Sequence, residues 1–135
     1  MHWAQEYVGK PWRENADGPD AFDCWGLVRH VYRQQLKVEL PPYPGLFELG
    51  AKHLRASIRD GLRSGKWVEL VAPKDLCAVL MSASRVYDHV GVYLAQDGGL
   101  ILHSVHGRGV VAQPRHALLA IGIQRTAFYS YGALH

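Results

Sequence analysis

At 135 residues, 48% of them hydrophobic and with four Trp and seven Tyr, the chain is long enough for one domain with its own core and too short for two ordinary ones, and disorder is excluded. No apolar run approaches the roughly 20 residues that span a bilayer, so membrane insertion is not expected; Met1 to Glu6 also lacks the basic start and apolar stretch of a secretory signal. The net charge of +3 and pI near 9.0 favour acidic partners without choosing among nucleic acid, anionic wall polymer and acidic protein surfaces.

Residues 2 to 8 read as a short helix ended by Gly9 and Pro11, followed by a surface loop from Lys10 to Asp20 rich in turn formers. Trp12, in this loop, is placed to line a cleft or to pack beneath the loop. The loop hands over to a helix at Cys24, and Cys24, Leu27, Val28, Val31 and Gln35 fall on one stripe at helical spacing. Free backbone N–H groups and the helix dipole at such a start favour thiolate over thiol, so Cys24 is the candidate nucleophile. Cys77, inside the apolar run Leu76–Met81, reads as core filling. Neither a disulfide nor a zinc site is expected from two cysteines with no CxxC spacing.

After the break at Pro41 to Gly45, a second helix is expected, with Phe47, Ala51, Leu54, Ile58 and Leu62 on its apolar face and Gly65 as its stop. Lys52, Arg55, Arg59 and Arg63 form a basic stripe on another face; such stripes are usually solvated, and no aromatic interleaving argues for nucleic acid. From Lys66 the period turns strand-like: Trp67–Val71, Leu76–Met81, Val86–Leu94, Leu100–Val105, Val110–Gln113 and Leu118–Phe128. Helices followed by five or six consecutive strands make an α+β fold, a single domain over residues 1–135 with helices packed on an antiparallel sheet.

A thiol nucleophile needs a base. In the Val86–Leu94 strand, His89, Gly91 and Tyr93 share one face, and a histidine on the sheet facing the Cys24 helix would take the thiol proton and return it to a leaving amine. The group that orients His89 belongs on the next strand, where His103 and His106 both stand. A two-residue turn at Asp97-Gly98 sets His106 opposite His89; an odd loop or a bulge restores His103 to that face. Spacing leaves the two open. His2, His30, His53, His116 and His135 read as surface or packing residues.

Phe22-Asp23-Cys24-Trp25-Gly26-Leu27-Val28, Asp88-His89-Val90-Gly91-Val92-Tyr93-Leu94 and Ile101-Leu102-His103-Ser104 resemble, in order and spacing, the three motifs of NlpC/P60 cysteine peptidases. The resemblance runs over essentially the whole chain and is strongest to small single-domain members from phage and prophage tails. It implies a papain-like α+β fold with a five- or six-stranded sheet, Cys24 as nucleophile, His89 as base and His103 as the orienting residue. It also implies an oxyanion and substrate region around Trp12, Asp23 and Trp25, with the Cys24 N–H as one donor. The implied reaction needs no metal or other cofactor: cleavage of peptidoglycan stem peptides, usually between D-glutamate and a diamino acid. Tail-tip proteins are the implied partners, and the implied place of action is the wall, reached from the host cytoplasm on a virion tail tip. Amidase or acyl-transfer chemistry, or a structural module with little activity, would use the same fold.

The chain departs from the family pattern near the cleft. Trp12 replaces a tyrosine, Asn15-Ala16 a Gly-Gly pair, Ala21 a glycine and Trp25 a serine; Pro73-Lys74-Asp75 stands for a Pro-Gly-Asp turn.

Overall fold

The computed structural model describes residues 2–41, 65–83 and 87–132. The helix expected over Phe47–Leu62, with its basic stripe, lies outside these residues, as does the first part of the strand expected over Val86–Leu94.

The N-terminal helix is reduced to a 3-10 turn, Trp3–Glu6, whose first free N–H, on Ala4, donates to His2 Nδ1 at 3.1 Å. Helix α1 spans Cys24–Val31 and starts because Asp23 caps it: the carboxylate accepts the Gly26 N–H at 2.6 Å. Cys24, Leu27, Val28 and Val31 are all 0% exposed, so the stripe read from the sequence is the buried one. Gln35 is exposed instead. From Tyr32 to Leu36 the helix widens to π geometry before stopping at Lys37, φ 57°, and the wider turn carries later residues out of phase with the stripe.

Among the described residues six strands form one antiparallel sheet: β1 Trp67–Leu70, β2 Ala78–Ser82, β3 His89–Leu94, β4 Leu100–Val105, β5 Gly109–Gln113 and β6 Arg125–Tyr131, in the order β1-β6-β2-β3-β4-β5. The α+β expectation holds, with one correction. The run Leu118–Phe128 is not one strand. Arg115–Ile121 coils into a 3-10 helix that buries Leu118, Gly122 ends it at φ 87°, and only then does β6 begin and enter the sheet between β1 and β2. Apolar spacing there served a turn of helix and a strand in succession, with a left-handed glycine as the joint.

Alternation along the strands makes two apolar layers. Val90, Val92, Leu94 and Leu102 pack with Leu27, Val28 and Val31 of α1; Val79, Met81, Ile101 and Phe128 pack with Leu118 on the other side. The N-terminal segment closes the far edge of the sheet, where Gly9 N–H donates to Val110 O at 3.0 Å and Val110 N–H to Lys10 O at 2.9 Å. That pairing leaves β5 no bare backbone edge at Val110.

Candidate active site

The loop before α1 is tied to the helix at several points. Asp23 accepts a second hydrogen bond from Asn15 N–H at 2.9 Å, and Asp23 N–H donates to Ala16 O at 2.9 Å. Asn15 holds φ 63°, a left-handed conformation that asparagine tolerates better than most residues, which accounts for its standing where the family has glycine. Arg29 of α1 pairs with Asp17 at 2.9 Å. Gly26 is needed for the crossing, because a Cβ there would run into the Ala16 carbonyl oxygen. Ser104 on β4 donates to Phe22 O at 2.7 Å, and Phe22 N–H donates to Pro11 O at 3.0 Å. The residue two places before the cysteine is therefore fixed to the strand that carries His103.

Cys24 is fully buried, and it and Cys77 are free thiols. Backbone N–H groups of Val90, Trp25 and Cys24 itself lie at the sulfur and favour its charged form, yet desolvation, with the neighbouring Asp23 carboxylate, pushes the thiol up to about 12. This corrects the expectation that the helix start makes a thiolate. The donors are present, but in the resting protein burial outweighs them.

The β3–β4 hairpin decides the histidine pairing. Val92 faces Leu102, Tyr93 faces Ile101 and Leu94 faces Leu100, so the loop holds five residues, 95 to 99, with Asp97, Gly98 and Gly99 all at positive φ. An odd loop puts His103 on the face of His89. His89 Nε2 and His103 Nδ1 are 2.8 Å apart, and His103 Nε2 is 2.8 Å from Gln113 Oε1 on β5. His106 instead sets its ring on Trp12, centroids 4.2 Å apart. Gly91, between the histidines, makes their approach possible: a Cβ there would lie 2.9 Å from the His103 Cβ and 2.7 Å from Leu102 O.

The histidines occupy a different face from the one expected. Val90, Val92 and Leu94 turn toward α1, whereas His89 stands opposite Met81 of the second layer. The sulfur lies against the Val90 N–H, so thiol and imidazole flank one peptide unit at the start of β3. Among the described residues no hydrogen bond joins the Cys24 sulfur to His89. Such contacts are often loose in an empty site and close when substrate binds.

Burial pulls His89 down to about 3, with His103 adding to the shift, and it lowers His103 as well, although Gln113 opposes this. Both rings are neutral at pH 7. Below about pH 6.5 the unfolded chain takes up a proton that folded His89 refuses, so stability falls as pH drops from about 6.5 toward 3, by up to about 1.4 kcal/mol per pH unit, and His103 acts in the same direction. Asp23, whose carboxyl is pushed up by burial, has the opposite sign. Urea unfolding at pH 7, 6, 5 and 4 checks this: the midpoint should fall with pH in the wild type and fall less steeply in His89→Gln. Equal slopes would contradict it.

Of the remaining candidates, Asp23 uses its carboxylate on Gly26 and Asn15, so it holds the helix start and loop together. Trp25 is 8% exposed and donates its indole N–H to Pro41 O at 2.8 Å, packing in the core. Trp12 is partly exposed beside His106. Gln113 escaped sequence reasoning, because its place depends on the β4–β5 register, in which His103 faces Val111 and Ile101 faces Gln113; a polar residue at a strand end gives no other signal. His2 caps the first turn, and His30 packs on Phe22 with its Nδ1 2.8 Å from the Tyr7 hydroxyl.

A cysteine opening a helix packed on a six-stranded antiparallel sheet defines an α+β architecture. The sequence model of the NlpC/P60 family matches residues 9–120, and the chain belongs to that family. It is 30% identical over 114 residues to "Probable endopeptidase p60" of Listeria grayi and 26% identical over 113 residues to the protein of the same description from Listeria innocua, in each case over 78% of this chain. It spans only about a fifth of the length of those relatives, 19% and 21%. Among solved structures, the NlpC/p60 domain of the peptidoglycan hydrolase SagA superposes with a TM-score of 0.59 at 20% identity, covering 93% of this chain and 91% of that one. A Staphylococcus aureus NLP/P60-family protein similar to a lipoprotein gives 0.53 at 19% identity, covering 92% of this chain and 38% of that one. No helix among the described residues is long and apolar enough to cross a membrane.

Proposed function

We propose that the protein is a cysteine endopeptidase of peptidoglycan stem peptides, cutting between D-glutamate and a diamino acid, and that it opens the wall locally as a component of a phage tail tip. The observation that carries the peptidase reading is the 2.8 Å His89–His103 hydrogen bond beside a helix-start cysteine whose sulfur meets the backbone N–H next to His89. Because both partners rest neutral, the proton moves during attack. As the Cys24 sulfur bonds to the amide carbonyl carbon, its proton passes to His89; His89 then protonates the departing amine, leaving an acyl-enzyme. Water attacks the acyl carbon and gives a proton to His89; the carbon–sulfur bond then breaks, the acid leaves, and His89 returns the proton to the sulfur. The Cys24 N–H supplies one oxyanion donor. The tail-tip placement rests on the motif resemblance to small phage and prophage members.

A second reading, a tail module that keeps the fold with little turnover, is favoured by the complete burial of Cys24. The two separate in a digestion of purified muropeptides from Gram-negative and Gram-positive walls, with boiled protein as blank and products read by mass. The peptidase reading expects a fragment pair split at the D-glutamyl bond. A different amide cut would make it an amidase, and intact muropeptides from both walls would favour the module.

A further inference from the structure

We infer that Gln113 is a positioning residue that sets the direction of the hydrogen-bond chain running through His103 to His89, so that His89 keeps its Nδ1 free of a proton. A neutral imidazole carries one N–H and one bare nitrogen. The amide oxygen Oε1 of Gln113 only accepts, and it lies 2.8 Å from His103 Nε2, so His103 must carry its proton there. Its Nδ1 is then bare and can only accept. The partner of that nitrogen is His89 Nε2 at 2.8 Å, so His89 must carry its proton on Nε2. What remains is His89 Nδ1 with an unshared pair, and no hydrogen bond among the described residues engages it.

Turning the amide over reverses every link. An amide N–H donating to His103 Nε2 would force the His103 proton onto Nδ1, where it would donate to His89 Nε2. The His89 proton would then sit on Nδ1, and the ring could not receive one from a thiol at that nitrogen. Two rings in contact have two self-consistent arrangements of nearly the same geometry, and His103 alone does not choose between them. A third group with a fixed polarity chooses. Gln113 is held for this by β4–β5 pairing: it faces Ile101, one step along the same sheet face from His103, a diagonal position within reach of a long side chain. The neutrality of both rings, imposed by their burial, is what makes the counting binding.

The use of that free nitrogen as a base rests on the peptidase reading; the tautomers themselves do not, since they belong to the resting protein. The test is long-range proton–nitrogen correlation on the full chain labelled with 15N-histidine at pH 7.5, in wild type and in Gln113→Met, which matches the length of the side chain and removes the acceptor. The wild type should show His89 and His103 both protonated on Nε2. In Gln113→Met, with the amide fingerprint of the sheet unchanged, the His103 signals should move to a mixture of tautomers and His89 with them. Cleavage of wall peptides should then fall about ten- to a hundred-fold. A wild-type His89 carrying its proton on Nδ1 would overturn the inference whatever the variant does, as would wild-type tautomers on both rings of a folded Gln113→Met. Expected tautomers in a protein that cleaves no wall peptide would defeat the peptidase reading alone. Cleavage by a protein with reversed tautomers would defeat this inference alone.

Discussion

Cys24→Ala protein should cut wall peptides at least about 10⁴-fold more slowly than wild type while remaining folded. On the proposed mechanism no acyl-enzyme forms without the sulfur, and the paired histidines have only water to activate. The cost to the fold is small by comparison: one buried sulfur atom removed from the end of the α1 stripe leaves a cavity worth about 1 kcal/mol. The substitution therefore separates chemistry from folding, which the buried position of Cys24 would otherwise entangle. Muropeptide turnover followed by mass, alongside urea unfolding of the same preparations, checks both halves. Turnover within tenfold of wild type would remove Cys24 from the mechanism, and an unfolded variant would give the thiol a larger structural part than its contacts indicate.

Gly26→Ala should be among the most damaging single-methyl additions to this chain. Helix propensity alone says the opposite, since alanine in place of a helical glycine gains about 1 kcal/mol. Here the added Cβ would occupy the place of the Ala16 carbonyl oxygen, and a backbone atom cannot swing aside like the end of a side chain. The loop is also held by Asp23, by the Asn15 and Asp23 backbone bonds and by the Arg29–Asp17 pair, so moving it strains several contacts at once. Overpacking of this kind costs about 3 kcal/mol. The net loss of about 2 kcal/mol should lower Tm by roughly 6 to 10 °C, and displacement of the loop should reduce turnover as well. A thermal melt that rises would mean that propensity wins and that the loop does not lie on the helix.

Local chemistry made the helix start and its buried stripe readable, because Cys24, Leu27, Val28 and Val31 repeat at the helical period and an aspartate precedes them. The strands were readable for the same reason, except where Leu118–Phe128 holds two elements that both send apolar residues, Leu118 and Phe128, into one layer. The histidine pairing was not readable from spacing. Asp97-Gly98 suits a two-residue turn as well as part of a five-residue loop, and one residue of loop length exchanges His103 for His106. Motif resemblance pointed to His103, and the register with an odd loop supplies the physical reason. The protonation of Cys24 and the part of Gln113 depend on what surrounds them in space. Periodicity marks Cys24 as buried but not how strongly that burial opposes its charged form, and a diagonal contact between two strands leaves no periodic trace in the chain.

The hydroxyl of Ser104 on the Phe22 carbonyl gives the site a mechanical property. The segment that delivers the cysteine and the strand that delivers His103 are separated by 82 positions in the chain, yet they are joined within the core. Lys10 and Val110 are joined again at the sheet edge. A local fluctuation that released only the loop would have to break both ties, so the segment before Cys24 and the strand that carries His103 should open together. The half-open species, with a bare cysteine exposed to oxidation while the strands stay folded, is the one this wiring keeps rare.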